Sequence, residues 1–294
     1  MRSKRELKSN LSLFSPAKLN LFFRVLSKRD DGYHEIASLM QAISLGDRLY
    51  FERSDRDELT SNDPSLPCDE SNLVQRALTL FRQKTGISFP VKIFIEKSIP
   101  IEGGLGGGSS NLATTLWALN ELSGSRASLS ELREWAGIFT SDGPFFFSEG
   151  TAYCTGRGEK IKNLSPAPRK NLWLAKVDIG MSTPLVYSRC IPNACSNEDP
   201  QKLLEKGTYI NDLEAPVFTL EPKLEKLKHD LLALGFEAAT MTGSGSTFFC
   251  FGEVENPSLP GVHFIEAPFL TRSENDWYNS HECEKMASYG KQAL

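Results

Sequence analysis

Pro100-Ile101-Glu102-Gly103-Gly104-Leu105-Gly106-Gly107-Gly108-Ser109-Ser110 carries five glycines in the six positions 103–108. It follows an alternating run, Val91-Lys92-Ile93-Phe94-Ile95, with the period of a strand. It leads into Leu112, Leu116 and Leu119, whose spacing predicts a helix over 109–122. A glycine turn between strand and helix offers bare backbone N–H groups and the positive end of the helix. With the hydroxyls of Ser109 and Ser110 it makes an anion cradle suited to a di- or triphosphate. A flexible turn is the plain alternative, but flexible linkers rarely run straight into an amphipathic helix. GxGxxG has no match here in any register. Gly103 and Gly108 have P-loop spacing, yet Ser109-Ser110 stands where that loop needs Lys-Ser or Lys-Thr. The charge partner for bound phosphates therefore comes from Mg2+ or from a lysine distant in sequence.

Upstream, residues 14–25 read as a strand with Ala17, Leu19, Leu21, Phe23 and Val25 on one face and Lys18, Asn20 and Phe22 on the other. Lys18 and Asn20 thus point the same way. A turn-rich stretch over 28–32 leads to Tyr33-His34-Glu35 and an apolar run, 36–45, whose pattern leaves strand and helix open. Ser71 is the N-cap candidate for a helix carrying Leu73, Val74, Ala77, Leu78 and Phe81. Ser128 and Glu131 are spaced as a capping box for a helix that should stop near Ser141-Asp142-Gly143-Pro144. A basic, proline-rich linker over 165–170 precedes a strand at 172–177, which sets a domain boundary there. Leu224, Leu227, Leu231 and Leu234 then form a helical stripe ended by Gly235, and 247–251 reads as a buried strand. The polar stretch 273–294 reads as an appendage or a loose tail.

The 294 residues can bury a full core as one large or two ordinary domains. Hydrophobic residues are 40% and charged ones 24%, an ordinary globular balance. A net charge of −4 argues against a nucleic-acid partner, so a phosphorylated ligand must be captured locally. No run reaches the roughly 18 apolar residues of a membrane helix, so no membrane partner is expected. The six cysteines show no CxxC pair and no metal-ligand spacing, so no protein metal cluster is expected and reduced cytoplasmic thiols are the default. Residues 1–9 hold four basic side chains with no apolar core behind them, unlike a secretory signal.

Ser15-Pro16-Ala17-Lys18-Leu19-Asn20-Leu21, Asp31-Gly32-Tyr33-His34-Glu35, the glycine loop, Ser141-Asp142-Gly143-Pro144-Phe145-Phe146 and Met241-Thr242-Gly243-Ser244-Gly245-Ser246-Thr247 occur in this order. Together they resemble the GHMP kinase superfamily over about residues 14–251. The Gly-Tyr-His element narrows the likeness to the branch that phosphorylates the 2-hydroxyl of a cytidylated methylerythritol in non-mevalonate isoprenoid synthesis. The resemblance implies a two-domain α+β fold, with a ribosomal-protein-like N-terminal ATP-binding half at 1–165 and a ferredoxin-like half at 166–294. It implies ATP with Mg2+, and one cytidylated polyol as partner for a monomer or weak dimer.

By the same resemblance Asp142 is the candidate base and Lys18 the lysine that pairs with it and with the transferring phosphate. An Asp before Gly-Pro is otherwise often a turn residue. Asn20 is a candidate ligand contact. Tyr33 and His34 correspond to the cytidine end, with Thr183 and Tyr187 closing on the same nucleotide. Lys97 reads equally as a nucleotide contact or an exposed strand-end charge. Residues 243–247 are expected to turn close to substrate or phosphates, and Asn211-Asp212-Leu213-Glu214 reads as structural. Two departures stand out. Glu102 occupies a position usually small and should point away from triphosphate, and Gly143 replaces a branched residue, which would loosen the base. Rival readings are a GHMP kinase for mevalonate-type or sugar substrates, a binding module that kept the fold, and a dehydrogenase, the last failing on glycine spacing.

Overall fold

The structure, a computed structural model, describes residues 10–167, 171–193 and 199–278. Its first half grows from one long antiparallel ribbon. β1 (Asn10–Lys28) pairs with β2 (His34–Arg53) from Asn10↔Glu52 to Lys28↔His34. Residues 36–45 are thus strand. Ile36, Ala37, Leu39 and Met40 are buried, and so are Ser38 and Gln41. A strand covered on both faces loses the apolar/polar alternation, and periodicity therefore could not decide it. The register of β1 shifts between Asn20 and Phe22, so Phe22 does not simply continue the Lys18–Asn20 face.

The chain continues through β3 (Glu58–Ser61), α1 (Leu73–Thr85), β4 (Val91–Glu96), α2 (Gly107–Leu122), α3 (Leu129–Phe139), β5 (Thr151–Gly156) and β6 (Lys160–Asn163). The sheet runs β3-β4-β2-β1, with β5 paired to β2 and β6 to β5. Leu78 and Phe81 of α1, Leu112 and Leu116 of α2, and Leu132 and Trp135 of α3 join its core. The cap of α1 is Asn72, whose side chain accepts the Val74 N–H at 2.9 Å. Ser71 instead bonds Asp69 through its hydroxyl and its N–H. The Ser128/Glu131 capping box forms as expected.

The second half comprises β7 (Leu172–Val177), α4 (Thr183–Arg189), α5 (Pro200–Lys206), β8 (Ile210–Asn211), α6 (Glu214–Leu220), α7 (Pro222–Ala233), β9 (Ala238–Met241), β10 (Phe248–Phe251) and β11 (Val262–Glu266). The antiparallel order is β11-β7-β10-β9, and Leu224, Leu227 and Leu231 of α7 pack into its core. This is an α+β fold with two sheets.

The halves share structure. β8 lies parallel to β1, pairing Phe22 with Ile210 and Phe23 with Asn211, and Asn211 Nδ2 donates to the Met241 and Gly243 carbonyls. Asp212 accepts from Arg24 at 2.9 Å and from the Val25 N–H at 3.0 Å, which fits the structural reading of this element. One apolar cluster joins Leu19, Leu21 and Leu39 to Leu172, Leu174 and Phe249 across the two sheets.

The start of the last stretch is no loose tail. Trp277 Nε1 donates to the Phe14 carbonyl at 2.9 Å, Trp277 and Tyr278 are buried, and Arg272, just before the stretch, is buried and donates to the Phe147 and Ser148 carbonyls. Two large rings and a guanidinium that finds carbonyl partners override a polar composition. Residues 279–294 lie outside the described part.

Candidate active site

β1 delivers Lys18 and Asn20 into the interior, only 3% and 1% exposed. Lys18 Nζ lies 3.4 Å from Asp142 Oδ2 and donates to Asn20 Oδ1 at 2.6 Å. Asn20 Nδ2 donates to Ser38 Oγ on β2, and its backbone N–H donates to Thr242 Oγ1 in the turn just after β9. Asp142 heads a short 3-10 turn, Gly143–Phe147, in which Phe145, Phe146 and Phe147 are all buried. The carboxylate thus stands partly open on an anchored turn, beside a lysine whose position is fixed by both halves.

Gly143 tightens this turn rather than loosening it. Its N–H donates to Thr140 Oγ1 at 2.9 Å, and a Cβ there would meet that oxygen at 2.6 Å and the Ala136 Cβ at 3.1 Å. The threonine hydroxyl fills the room that a side chain would occupy. Gly143→Val is expected to cost about 1–3 kcal/mol of stability by overpacking and to lower turnover; a melt matching the parent would show that the turn has slack.

The glycines of the loop serve its own packing as well as any ligand. A Cβ on Gly104 (φ +73°) would lie 2.4 Å from the Thr242 carbonyl oxygen, and one on Gly106 3.0 Å from Lys18 Cγ. Gly103 faces Thr247 Oγ1 and Gly107 faces Ile99. The Lys18 N–H donates to the Leu105 carbonyl at 3.0 Å, and the Leu105 side chain is buried. The loop therefore lies flat on the lysine strand and on the 242–247 turn, while the first-turn N–H groups of α2 have no earlier carbonyl to bond. Ser110 turns its hydroxyl inward, fully buried and bonded by Ser15, so Ser109 alone offers one to a ligand. Glu102 is exposed, with its carboxylate beside Gly180 in the second half.

Lys97 is not an exposed strand-end charge. It pairs with Asp47, itself fully buried, at 3.1 Å, and donates to the Ile99 carbonyl. Burial pushes its ammonium down from the ordinary value and Asp47 holds it part of the way back. Asp47 also accepts the Ser98 and Ile99 N–H groups, so this pair braces the strand-to-loop passage.

Two cavities flank the loop. One of about 610 Å3 is lined by Lys18, Asp142 and Ser109 at one end and by Tyr33, His34 and Tyr187 at the other. The second, about 380 Å3, lies between Asn72, Leu73, Lys97 and residues 100–109. At the aromatic end the His34 and Tyr187 rings are 5.0 Å apart and tilted by 33°, while Tyr33 is 52% exposed. Burial, then the charge of Lys28, lowers the His34 pKa below its ordinary value, so its ring is neutral at pH 7 and can donate at one nitrogen and accept at the other. Thr183 Oγ1 lies 2.7 Å from Ser244 Oγ, tying α4 to the 242–247 turn.

The profile described as GHMP kinases N terminal domain matches residues 72–150, and that described as GHMP kinases C terminal matches 194–258. A 4-diphosphocytidyl-2-C-methyl-D-erythritol kinase from Protochlamydia amoebophila (strain UWE25) is 48% identical over 92% of this chain and 94% of its own length. The chain belongs to the 4-diphosphocytidyl-2-C-methyl-D-erythritol kinase family. A chloroplastic/chromoplastic member from Solanum lycopersicum is 45% identical, covering 92% of this chain and 73% of its own. The crystal structure of a 4-(cytidine 5'-diphospho)-2C-methyl-D-erythritol kinase superposes with a TM-score of 0.74 at 32% identity, covering 90% of this chain and all of that one. Like other GHMP kinases, family members are ATP-dependent small-molecule kinases, and so is this chain. Among the described residues no helix is long and apolar enough to cross a membrane, and no three His, Cys, Asp or Glu side chains are placed to share a metal ion.

Of the residues singled out from sequence, the larger cavity gathers Lys18, Asn20, Tyr33, His34, Gly104, Gly106, Ser109, Asp142, Thr183 and Tyr187. Pro100, Ile101, Glu102, Gly103, Leu105, Gly107 and Gly108 line the smaller one with Lys97. The family motifs did not bring out Arg157, which lines the larger cavity with its Cζ 4.7 Å from the Tyr33 ring centroid. Its signal was available, since Gly156 and Gly158 bracket a lone arginine as in a tight turn. Thr140 carried no such signal, because its role depends on a neighbour having no Cβ.

Proposed function

We propose that the chain transfers the γ-phosphate of ATP to the 2-hydroxyl of 4-diphosphocytidyl-2-C-methyl-D-erythritol. The observation that carries this is a single cavity holding the Lys18–Asp142 pair at one end and the His34–Tyr187 ring pair at the other. In this scheme Asp142 accepts the hydroxyl proton as the new P–O bond forms and the bond from the γ-phosphorus to the bridging oxygen of ADP breaks. Lys18 holds Asp142 in place, and its ammonium offsets the charge that gathers on the transferring group. Tyr33 and Tyr187 supply faces for the pyrimidine, neutral His34 hydrogen-bonds its edge, and Thr183 borders the same end. The triphosphate lies along the loop with the nucleoside toward the smaller cavity. The close-packed glycines suit this, because their backbone rather than side chains meets the phosphates.

Mg2+ belongs to the same reading. With no carboxylate cluster among the described residues, the donor set fits an ion held chiefly by the phosphates and by the Ser109 hydroxyl, which borders both cavities. Bound there it would neutralise charge on the transferring group. Every protein group in the scheme comes from one chain, so a monomer suffices, and the partner is a small molecule. The described free thiols fit a reducing, cytoplasmic-type setting.

The test is an ADP-release assay with the cytidylated methylerythritol, mevalonate, galactose and homoserine offered separately. Turnover is expected on the first alone; turnover only on one of the others would discard the assignment.

A further inference from the structure

We propose that Arg272 is a positioning residue for the catalytic base, fixing from its far end the turn that carries Asp142. The inference rests on Asp142 being the base, as proposed above. Residues 267–278 form a strap that leaves the second sheet and crosses onto the first half. The Ala267 N–H still donates to the Leu172 carbonyl on β7, whereas the Pro268 carbonyl accepts the Ser44 N–H and the Leu270 N–H donates to the Ala42 carbonyl, both on β2. The strap then reaches the segment just past the Asp142 turn, where three consecutive carbonyls accept from one residue. Glu149 accepts the Arg272 backbone N–H at 3.1 Å, Ser148 accepts from Nε at 2.7 Å and Phe147 from Nη2 at 2.7 Å. Nη1 turns back to the Ser273 and Glu274 carbonyls at 3.2 and 3.1 Å and to that of Asp276 at 2.5 Å, which ties the guanidinium to its own strap.

Asp142 and these carbonyls are the two ends of one short element. The Phe145 N–H donates back to the Asp142 carbonyl at 3.1 Å and the Ser148 N–H to the Phe145 carbonyl at 2.8 Å. At about 2 Å of rise per residue, the turn is a strut of about 10 Å between the carboxylate and the guanidinium. Its three buried phenylalanines resist lifting out of the core, but apolar packing is non-directional and does little against a slide along the axis. Hydrogen bonds to successive carbonyls are directional and fix that slide. The other side-chain donors there are long, Arg133 Nη2 to Phe147 at 3.4 Å and Tyr278 Oη to Ser148 at 3.5 Å. Phe147 and Ser148 are fully buried, so without the guanidinium their carbonyls must move to find partners. The Trp117 and Trp277 rings, 5.4 and 5.5 Å from Arg272 Cζ, keep the guanidinium in place. What the strut sets is the place of Asp142 beside the Lys18 ammonium, 3.4 Å away. A misplacement of about 1 Å at a reacting group can cost about a hundredfold in rate.

Arg272→Met and Arg272→Lys, each made in the parent and in the Asp142→Asn background, test this by kinetics per folded enzyme, with sites counted by binding of a non-hydrolysable ATP analogue. In the parent background the methionine variant is expected to lose roughly ten- to a hundredfold in kcat with the KM of either substrate within about threefold, and lysine to recover part of the loss. In the Asp142→Asn background the same change is expected to remove less than about twofold more, because no base is left to misplace. A merely structural arginine would lower the melting temperature without splitting kcat from KM, or would cost the same factor in both backgrounds. The proposal is overturned if the folded methionine variant keeps the parent kcat, if the loss is equal in the two backgrounds, or if neither variant folds. Where methionine alone prevents folding the lysine variant decides, with a loss in kcat of about threefold or more expected and a parent kcat overturning the proposal. Full activity in Asp142→Asn itself is a separate result, and it would count against the assignment of the base rather than against the hold of Arg272 on the turn.

Discussion

Asp142→Asn is expected to lower kcat by about three orders of magnitude while the affinity for ATP changes by less than about twofold. The amide keeps the size of the side chain, and the turn beneath it is held by three buried phenylalanines, so the geometry should survive. What disappears is a proton acceptor 3.4 Å from the Lys18 ammonium. The ammonium then keeps only Asn20 as a described partner, and the attacking hydroxyl has nowhere local to send its proton. ATP affinity should hold because the loop and the smaller cavity take nothing from Asp142. Single-turnover kinetics with the cytidylated substrate, beside equilibrium binding of a non-hydrolysable ATP analogue, separates the two. Activity within tenfold of the parent would remove Asp142 as the base.

Gly104→Ala should act on the fold itself. At φ +73° an L side chain is strained by about 1–3 kcal/mol, and its methyl would stand 2.4 Å from the Thr242 carbonyl oxygen. Backbone cannot yield as a flexible side chain can, so the loop must lift off the 242–247 turn or carry the strain. The combined loss is expected at about 2–5 kcal/mol, a melting shift on the order of 10 °C for a chain of this size. Gly32→Ala is the internal control, because Gly32 has φ +84° with nothing within 4 Å of its Cβ position. Equal shifts for the two would mean that the close approach to Thr242 contributes nothing.

Much of this site could be read from residues alone, and the exceptions have physical causes. Alternation places Lys18 and Asn20 on one face, and the glycine loop stands out by its position between strand and helix, while the acceptor class comes through the resemblance that the ordered motifs carry. The Ser128/Glu131 box was legible because capping is local in sequence. Residues 36–45 were not, since burial on both faces erases the period. Ser71 was preferred to Asn72 although both residue types cap helices, and only the turn made by Asp69 decides between them. Lys97 reads equally as a nucleotide contact or an exposed charge because its partner, Asp47, is fifty residues away in sequence. Trp277 and Tyr278 looked like tail because what they bury against, Phe14 and the Ser148 carbonyl, is equally remote.

The two-residue strand β8 has a consequence for evolution and for engineering. Through Asn211 it stitches the strand that carries Lys18 to the turn that carries Gly243. Relatives of this enzyme therefore cannot trade their front and back portions as interchangeable cassettes. A chimera spliced between residues 163 and 172 inherits its lysine strand from one parent and the Asn211 amide that holds the Gly243 turn from the other. Such hybrids should succeed only where both parents evolved the same stitch, so recombination within the family is channelled toward the loops that line the aromatic end, leaving the seam to be inherited whole.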